Sequence, residues 1–357
     1  MHDSLPDSGH ISIHFGPFNL ATFTDRPSPS FNAPMNFDEI FHDVQDDLTR
    51  VEELIFSQLE TEIPLLNEVA KYIVDSGGKR LRPAVSIFTA RMFGAPNEST
   101  YAAAAALEFL HTATLLHDDV VDEADTRRAK AAARKVWGNS ASVLVGDYLL
   151  ATAFRSLTLL GDLDVLETIS HTTSLMAKGE ILQLIRRYDS ATEDDYLDII
   201  INKTACLFAA AAKIGGTFGG ASPSEREALY QFGNDLGIAF QIVDDALDYV
   251  EEREKVGKPL GIDLKERKVT LPLSRLLKVA TPEEHAGLMA LLAKDDIEDD
   301  DVHTVIGLMR DHDVLPYTLE EARKYAKRAE THLSLLPDLP EREVLRVMCE
   351  GVVERDF

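Results

Sequence analysis

The sequence predicts an all-α protein built as a single large helical bundle. Apolar residues recur at helical spacing along almost the whole chain from Phe37 onward, and few stretches alternate at the two-residue period of a strand. The sequence shows no strand–helix repeat, which argues against an α/β architecture. With 357 residues and 45% hydrophobic content, the chain is long enough to bury a large core.

Proline, glycine and polar breaks divide the chain into segments. Residues 1–36 contain five prolines and no sustained period, so we expect a flexible tail there, followed by one all-α domain over residues 37–357. The expected helical segments are 37–58, 65–75, 83–94, 100–122, 139–160, 163–187, 193–212, 223–251, 271–279, 282–294, 301–312, 317–333 and 340–354. Residues 255–270 form a charged connection that contains glycine and has no long apolar period.

Composition excludes several classes of protein. The net charge of −25 argues against nucleic acid as a partner and against electrostatic docking on anionic lipid. No run of eighteen apolar residues occurs, so no membrane span is expected. Cys206 and Cys349 are far apart in the sequence and form neither a disulfide framework nor a zinc pattern, which favours a reducing cytoplasm.

A first acidic motif ends the apolar run of residues 107–128, LEFLHTATLLHDDVVDEADTRR. Asp118, Asp119 and Asp122 fall within one helical turn, and like charges four residues apart on a helix repel each other. At about 100° per residue, His111, Asp118 and Asp122 share a stripe roughly 40° wide. A bound divalent cation would explain why the three carboxylates lie so close together.

A second acidic motif, QIVDDALD at residues 241–248, repeats the Asp-Asp-x-x-Asp spacing late in another long helix. Gln241, Asp244, Asp245 and Asp248 lie along one side of that helix. One copy is weak evidence, because it arises by chance on solvated faces, whereas two copies after apolar runs are specific. Carboxylate oxygens favour Mg²⁺. A di-iron bundle, the nearest alternative, would need Glu-x-x-His pairs at matching places, and the sequence lacks them.

Cations cluster around the two acidic motifs. Each could by itself be a solvated side chain, but their joint placement indicates an anionic ligand such as a phosphate. They occur in GGKRLRP at residues 77–83, at Arg127 and Arg128, at Lys203 beside Thr204, and at Lys258 and Lys268.

These motifs together resemble those of the trans-isoprenyl diphosphate synthases, the polyprenyl synthetase family. GGKRLRP, HTATLLHDDVVDEADTRR, NKTA, QIVDDALD and GKPLGIDLKERKVTLP occur in the family's order, and the likeness runs from about residue 37 to the end. The first motif is similar to that of the long-chain octaprenyl, solanesyl and decaprenyl members. The resemblance implies the isoprenoid synthase fold, a helical bundle around a central active-site cavity, and a Mg²⁺-dependent prenyltransferase.

The resemblance also implies roles for individual residues in ionisation, condensation and elimination. Mg²⁺, with three ions expected per active site, would be bound by Asp118, Asp122 and Asp244. Supporting catalytic roles would fall to Asp119, Asp245, Asp248 and Lys203. Isopentenyl diphosphate would be bound by Lys79, Arg82, His111 and Arg128. The allylic diphosphate would be bound by Arg127, Lys203, Thr204, Gln241, Lys258 and Lys268. Arg80 lies between two family positions and is at most a helper.

Small residues before the first motif predict a long product. Ala113 and Thr114 occupy the positions where short-chain members carry bulky aromatics, and Leu110 and Ala106 continue the stripe. An open groove along this stripe could hold several isoprene units. The resemblance of the first motif to the long-chain members that make quinone side chains implies a product of eight to ten units. Three alternatives stay open: a shorter-chain synthase of geranylgeranyl or farnesyl type, a terpene cyclase, and a non-catalytic subunit of a heteromeric synthase.

The resemblance finally implies partners and a location. Family members are commonly homodimers, so a homodimer is expected. The water-insoluble product of a long-chain enzyme implies transient membrane contact for product release. We therefore expect a cytoplasmic enzyme that can associate peripherally with a membrane, although the sequence shows no amphipathic anchor.

Overall fold

Helices make up most of the described chain, which confirms the all-α prediction. The structure is a computed structural model that describes residues 37–74, 80–127, 130–186, 191–250 and 260–354. The predicted tail, residues 1–36, lies outside the described residues, so its character stays a prediction.

The helices, numbered in chain order over the described residues, follow most of the expected segments. They are α1 (Phe37–Asp43), α2 (Gln45–Leu59), α3 (Pro64–Val74), α4 (Leu81–Arg91), α5 (Glu98–Val121), α6 (Ala133–Trp137), α7 (Asn139–Leu160), α8 (Leu163–Ile185), α9 (Glu193–Ile200), α10 (Cys206–Gly219), α11 (Pro223–Leu247), α12 (Ile262–Lys265), α13 (Leu271–Val279), α14 (Pro282–Leu292), α15 (Asp299–Asp311), α16 (Val314–Leu333) and α17 (Pro340–Val353). A π-helical turn (Ile201–Ala205) joins α9 to α10. Two short strands, β1 (Thr126–Arg127) and β2 (Lys130–Ala131), pair antiparallel after the first acidic motif.

Local capping explains where the two longest central helices begin. The Asn97 side chain accepts a hydrogen bond from the backbone N–H of Thr100 at 3.1 Å, which starts α5. Ser222 accepts from the backbone N–H of Glu225, and Pro223 occupies the first position of α11. These caps satisfy N–H groups that have no partner within the helix, so the helix starts are encoded within a few residues.

Several boundaries differ from the sequence-based expectation. The segment expected over residues 37–58 is broken at Val44 into α1 and α2, and residues 133–137 form the additional helix α6. Helix α4 begins at Leu81, so Pro83 lies inside its first turn instead of opening it. Proline is tolerated there because N–H groups in the first turn have no intrahelical acceptor.

Helix α10 lies in the interior of the bundle. Helix α10, CLFAAAAKIGGTFG, is buried over most of its length and packs between α4 and α11. Helix α11 packs in turn along α16, and α5 packs along α7. The main apolar cluster contains residues of α1–α8, α10, α11, α16 and α17. Two smaller clusters lie around α12–α15 and around α9, α11 and α13. This packing fixes the ends of α5 and α11 that carry the acidic motifs.

Helix α7 is the apolar helix that faces outward. By length and composition alone it could cross a membrane, although only 28% of its most apolar window is buried within the chain. Its sequence is not an unbroken apolar run, because Gly146, Asp147 and Arg155 interrupt it. Its exposed apolar side chains include Leu144 and Leu159. Helix α7 therefore carries apolar side chains that are exposed to water in the single chain.

Candidate active site

A cavity of about 670 Å³ lies between α4, α5, α8, α11 and residues 262–270. Both acidic motifs border this cavity. The first contributes Asp118 in the last turn of α5 and Asp122 just after that helix. The second contributes Asp244, Asp245 and Asp248 at the end of α11. The two copies of the motif, which are more than a hundred residues apart in the chain, therefore face one shared space. This arrangement is the one that a shared metal-bound ligand requires.

The first motif divides its carboxylates between two tasks. Asp118 and Asp122 border the cavity, whereas Asp119 is fully buried and does not. The Oδ1 atom of Asp119 accepts hydrogen bonds from Nε and Nη2 of Arg127 at 2.8 and 2.6 Å. Asp119 thus orients the guanidinium of Arg127, which itself borders the cavity at the start of the short β-hairpin.

The second motif is organised by a hydrogen-bond network around buried Asp245. Tyr196, fully buried on α9, donates from Oη to Asp245 Oδ2 at 2.7 Å. Gln241 donates from Nε2 to Asp245 Oδ1 at 2.7 Å, and its Oε1 accepts from Thr204 Oγ1 at 2.9 Å. Asp245 is therefore held by protein donors, which leaves Asp244 as the exposed carboxylate of this motif.

One carboxylate in each motif, Asp118 and Asp245, has a raised pKa in the metal-free fold. Burial raises the pKa of Asp118 to about 7; the ammonium of Lys203 opposes this shift, and Glu180 and Asp122 add to it. Burial likewise raises the pKa of Asp245 to about 7, against the hydrogen bonds from Tyr196 and Gln241. A divalent cation would offset the cost of ionising several carboxylates that lie close together in a buried site.

The donor set fits Mg²⁺ bound together with a phosphate ligand. Among the described residues, no three histidine, cysteine or carboxylate side chains form a ready-made metal cage. Mg²⁺ is commonly bound through one or two carboxylates, with waters and substrate phosphate oxygens completing its shell. Asp118, Asp122 and Asp244 present hard oxygen ligands from two sides of the cavity, which suits that mode of binding.

Lys203 and Lys268 bring positive charge to the same cavity. Lys203 Nζ lies 2.8 Å from Glu180 Oε2 and 3.9 Å from Asp118 Oδ2. Lys268 Nζ lies 3.1 Å from Asp122 Oδ2 and 2.5 Å from Glu266 Oε2. Burial lowers the pKa of Lys268, but Asp263, Asp122 and Glu266 raise it more, so the net shift is upward and Lys268 stays charged.

The structure places most of the predicted ligands together, but not all of them. The cavity is bordered by the predicted diphosphate ligands Arg82, His111, Arg127, Lys203, Thr204, Gln241 and Lys268. Lys79, Arg128 and Lys258 lie outside the described residues, so their roles stay predictions.

Sequence reasoning missed several residues that border the cavity. Glu180 pairs with Lys203, Asp263 donates its backbone N–H to Asp248 Oδ2 at 2.9 Å, and Glu266 pairs with Lys268. Burial, followed by the charge of Asp248, raises the pKa of Asp263 well above its usual value. Glu180 belongs to none of the quoted motifs. Asp263 and Glu266 lie within GKPLGIDLKERKVTLP, but the sequence does not indicate that they contact Asp248 and Lys268.

Of the four residues predicted to set chain length, only one borders the cavity. Thr114 borders the cavity, whereas Ala106, Leu110 and Ala113 lie in the main core with at most 1% exposure and do not border it. Small residues on a helix permit either a groove or close packing of a neighbouring helix, and here they allow close packing. Their role in chain length stays a prediction, and Thr114 is the member that the cavity supports.

Two glycines hold the π-helical turn close to its neighbours. A Cβ atom on Gly179 of α8 would lie 2.5 Å from the backbone nitrogen of Lys203. A Cβ atom on Gly237 of α11 would lie 2.6 Å from Cα of Ala205. Both contacts are with backbone, which cannot move aside as a flexible side chain can. Such turns recur at functional sites, and this one presents Lys203 and Thr204 to the cavity.

Replacing Gly179 should therefore impair the site more than an ordinary helix substitution. For Gly179→Ala we expect kcat/KM for the allylic diphosphate to fall about tenfold or more, equivalent to roughly 1.4 kcal/mol, because Lys203 is displaced. Gly287→Ala on α14 is the matched control, since a Cβ atom there meets nothing within 4 Å. Steady-state kinetics of both variants test this, and wild-type kinetics in Gly179→Ala would contradict it.

Mg²⁺ should stabilise the protein more at pH 8 than at pH 6. In the metal-free folded chain the pKa values of Asp118 and Asp245 are about 7. The unfolded value is about 3.9, so the folded state binds more protons and the free energy of unfolding falls as pH rises from about 4 to 7. A cation that binds the ionised carboxylates offsets this loss. Calorimetry with Mg²⁺ and inorganic diphosphate would measure it, and an equal rise in Tm at both pH values would contradict it.

An all-α bundle whose two aspartate-rich helix ends converge on one cavity defines a class of site, one that can bind a diphosphate through metal ions. The chain belongs to the polyprenyl synthetase family, because the polyprenyl synthetase model matches residues 63–309. This match confirms the family resemblance seen in the motifs.

Three relatives show how far the similarity extends. Octaprenyl diphosphate synthase of Escherichia coli (strain K12) is 41% identical over 327 residues, which are 90% of this chain and all of that protein. The crystal structure of a decaprenyl diphosphate synthase from Rhodobacter capsulatus is 40% identical, has a TM-score of 0.84, and is matched over 89% of this chain and 98% of its own. A polyprenyl synthase from Caulobacter crescentus CB15, solved with calcium and isoprenyl diphosphate, is 37% identical with a TM-score of 0.84, over 89% of this chain and 97% of its own.

Proposed function

We propose that this protein is a Mg²⁺-dependent trans-polyprenyl diphosphate synthase. It condenses isopentenyl diphosphate with an allylic diphosphate and makes a long all-trans product of eight to ten isoprene units, which serves as a quinone side chain. The observation that carries the proposal is the convergence of both acidic motifs and four described cations, Arg82, Arg127, Lys203 and Lys268, on one cavity. The long-chain relatives support the product class.

Charge determines how the allylic half of the site works. Ionisation of the allylic C–O bond yields a carbocation and a free diphosphate, so positive charge around the diphosphate lowers the barrier. Mg²⁺, in the proposed number of three ions, would supply Lewis-acid stabilisation when held by Asp118, Asp122 and Asp244. Lys203 and Lys268 add ammonium groups that neutralise the departing diphosphate on the side of the first motif.

The second half of the site presents isopentenyl diphosphate to the cation. Arg82 on α4 and His111 on α5 border the cavity and would bind its diphosphate. Its alkene then attacks the allylic cation, a C–C bond forms, and loss of a proton restores a double bond. The released diphosphate is the proposed proton acceptor.

The apolar walls of the cavity protect the intermediate. Met176, Leu207 and Phe240 line the cavity beside the proposed allylic site. Because a carbocation reacts with water, a wall of hydrocarbon and aromatic groups keeps condensation ahead of hydrolysis.

A direct assay tests the proposed function. The purified full-length chain is incubated with Mg²⁺, isopentenyl diphosphate and farnesyl diphosphate, and the products are treated with phosphatase and sized by reversed-phase chromatography. We expect alcohols of eight to ten isoprene units, and none when EDTA removes the metal. Products that stop at four units would support a shorter-chain synthase of geranylgeranyl type, and three-unit products from a parallel incubation with dimethylallyl diphosphate would support the farnesyl type. Absence of any product from the folded chain would support the non-catalytic subunit.

We also propose that the protein is a cytoplasmic homodimer. Exposed apolar side chains lie on α7 and α8, with exposed fractions from 59 to 79% at Leu144, Leu159, Leu163, Ile181 and Leu184. Burial of this face against a second copy would remove the apolar surface from water. Charged Asp147 and Arg155 on α7 disfavour its immersion in lipid, so membrane contact is proposed to be transient.

Light scattering tests the homodimer. A species of twice the 39.5 kDa chain mass is expected, and Leu144→Glu should shift it toward the monomer because a charge would be buried in the interface. Thr304→Glu is a matched control, since Thr304 is exposed on α15 in another part of the bundle. A wild-type monomer at micromolar concentration would contradict the proposal.

A further inference from the structure

Arg80 occupies an unusual position at the entrance to α4. Its backbone is left-handed, with φ 48° and ψ 39°, which is uncommon for a residue other than glycine. Its carbonyl accepts from the backbone N–H of Ala84 at 3.0 Å, so Arg80 starts the helix that carries Arg82. A residue keeps such a conformation only where its surroundings fix it strongly.

The Arg80 side chain is fixed by contacts to three other helices. Its Nη1 lies 2.5 Å from Glu108 Oε1 on α5, and its Nε lies 3.4 Å from Glu52 Oε1 on α2. Its Nη2 donates to the carbonyl of Val74, the last residue of α3, at 3.0 Å. The side chains of Arg80 and Glu108 are only 10% and 7% exposed, so this ion pair is shielded from water.

The ion pair joins the two segments that bear the proposed isopentenyl diphosphate ligands. Arg82 follows Arg80 by two residues in the first turn of α4, and His111 follows Glu108 by almost one turn of α5. All four side chains border the cavity. A change in the distance between Arg80 and Glu108 would therefore change the distance between the two ligands.

The charges around Arg80 disfavour it as a phosphate ligand itself. Two carboxylates already neutralise one guanidinium, and both partners would have to be lost or shared before Arg80 could bind a diphosphate. Arg82, two residues further on, has a contact of another kind: its guanidinium lies over the Phe208 ring at 4.5 Å from the ring centroid.

We propose that Arg80 and Glu108 are positioning residues for isopentenyl diphosphate. Their ion pair sets α4 against α5 so that Arg82 and His111 grip one diphosphate, and Arg80 does not bind that diphosphate directly. This inference rests on the proposed function, because it assigns a role within the proposed isopentenyl diphosphate site.

Glu108→Gln is the decisive variant, since it keeps the shape of the side chain and removes its charge. We expect KM for isopentenyl diphosphate to rise about tenfold, while KM for the allylic diphosphate changes less than twofold. If Arg80 were a direct ligand, Glu108→Gln would release its guanidinium toward the substrate, and KM for isopentenyl diphosphate would fall or stay unchanged. If the pair only stabilised the fold, Tm would fall with both KM values unchanged. Either result would overturn the proposal.

Further variants keep the test independent of folding and of the proposed function. Arg80→Lys retains the charge with shorter reach and should raise the same KM by a smaller factor, which covers the case in which Glu108→Gln does not fold. Glu98→Gln is the matched control on α5, because it removes the exposed partner of Arg50 at 3.0 Å and lies away from the cavity. A wild-type chain without condensing activity would refute the proposed function. If the wild type is active and Glu108→Gln raises KM equally for both substrates, this inference alone is refuted.

Discussion

Asp118→Asn and Asp244→Asn are each expected to lower kcat by about 10²- to 10³-fold, or roughly 3–4 kcal/mol of transition-state stabilisation. The two residues border the cavity from α5 and α11. Each substitution removes one carboxylate oxygen from the ligands of the proposed metal cluster. Asparagine preserves the shape of the side chain, so the loss would report charge and not packing. The measurement is single-turnover condensation at saturating Mg²⁺, with near-normal turnover in either variant contradicting the paired-metal proposal.

Asp118→Asn should not lower the stability of the metal-free protein. Because burial raises the pKa of Asp118 to about 7, the ionised carboxylate is unfavourable in the metal-free fold at neutral pH. Asp118→Asn removes that cost, so its Tm without metal should equal or exceed the wild-type value. Asp296→Asn, in the exposed connection before α15, is the matched control and should change neither turnover nor Tm.

The double variant distinguishes one shared metal cluster from two separate ones. If Asp118 and Asp244 act through the same bridged diphosphate, the loss in the double variant should be much smaller than the product of the single losses. Independent sites would instead give losses that multiply.

Local rules allowed much of this fold to be predicted. Helical periodicity and the caps at Asn97 and Ser222 are encoded within a few residues, so α5 and α11 were expected close to where they lie. The repeated Asp-Asp-x-x-Asp spacing marked the two carboxylate groups because it repeats within one chain. The charge of the two motifs predicted that they face each other, because shared cations would offset the repulsion within each cluster of carboxylates.

The parts that could not be predicted depend on residues far apart in the sequence. Tyr196 reaches Asp245 across 49 positions, and Lys203 reaches Glu180 across 23. The close packing around the π-helical turn has no signal within the turn itself, since it depends on Gly179 and Gly237 in two other helices. The separate tasks of Asp118 and Asp119, which are neighbours in sequence, likewise depend on where Arg127 folds back.

Thr114→Tyr is expected to replace the long product by a much shorter one. Thr114 borders the cavity one turn before Asp118, only about 6 Å along the helix axis, so an aromatic ring there would block the growing chain early. Ala113→Phe is the paired variant: Ala113 is 1% exposed in the core, so overpacking should cost about 1–3 kcal/mol of stability. Chromatography of phosphatase-treated products and thermal melts measure both effects. An unchanged long product from Thr114→Tyr would refute the prediction that the growing product passes Thr114. A shortened product from a fully stable Ala113→Phe would instead indicate that the growing product lies along Ala106, Leu110 and Ala113.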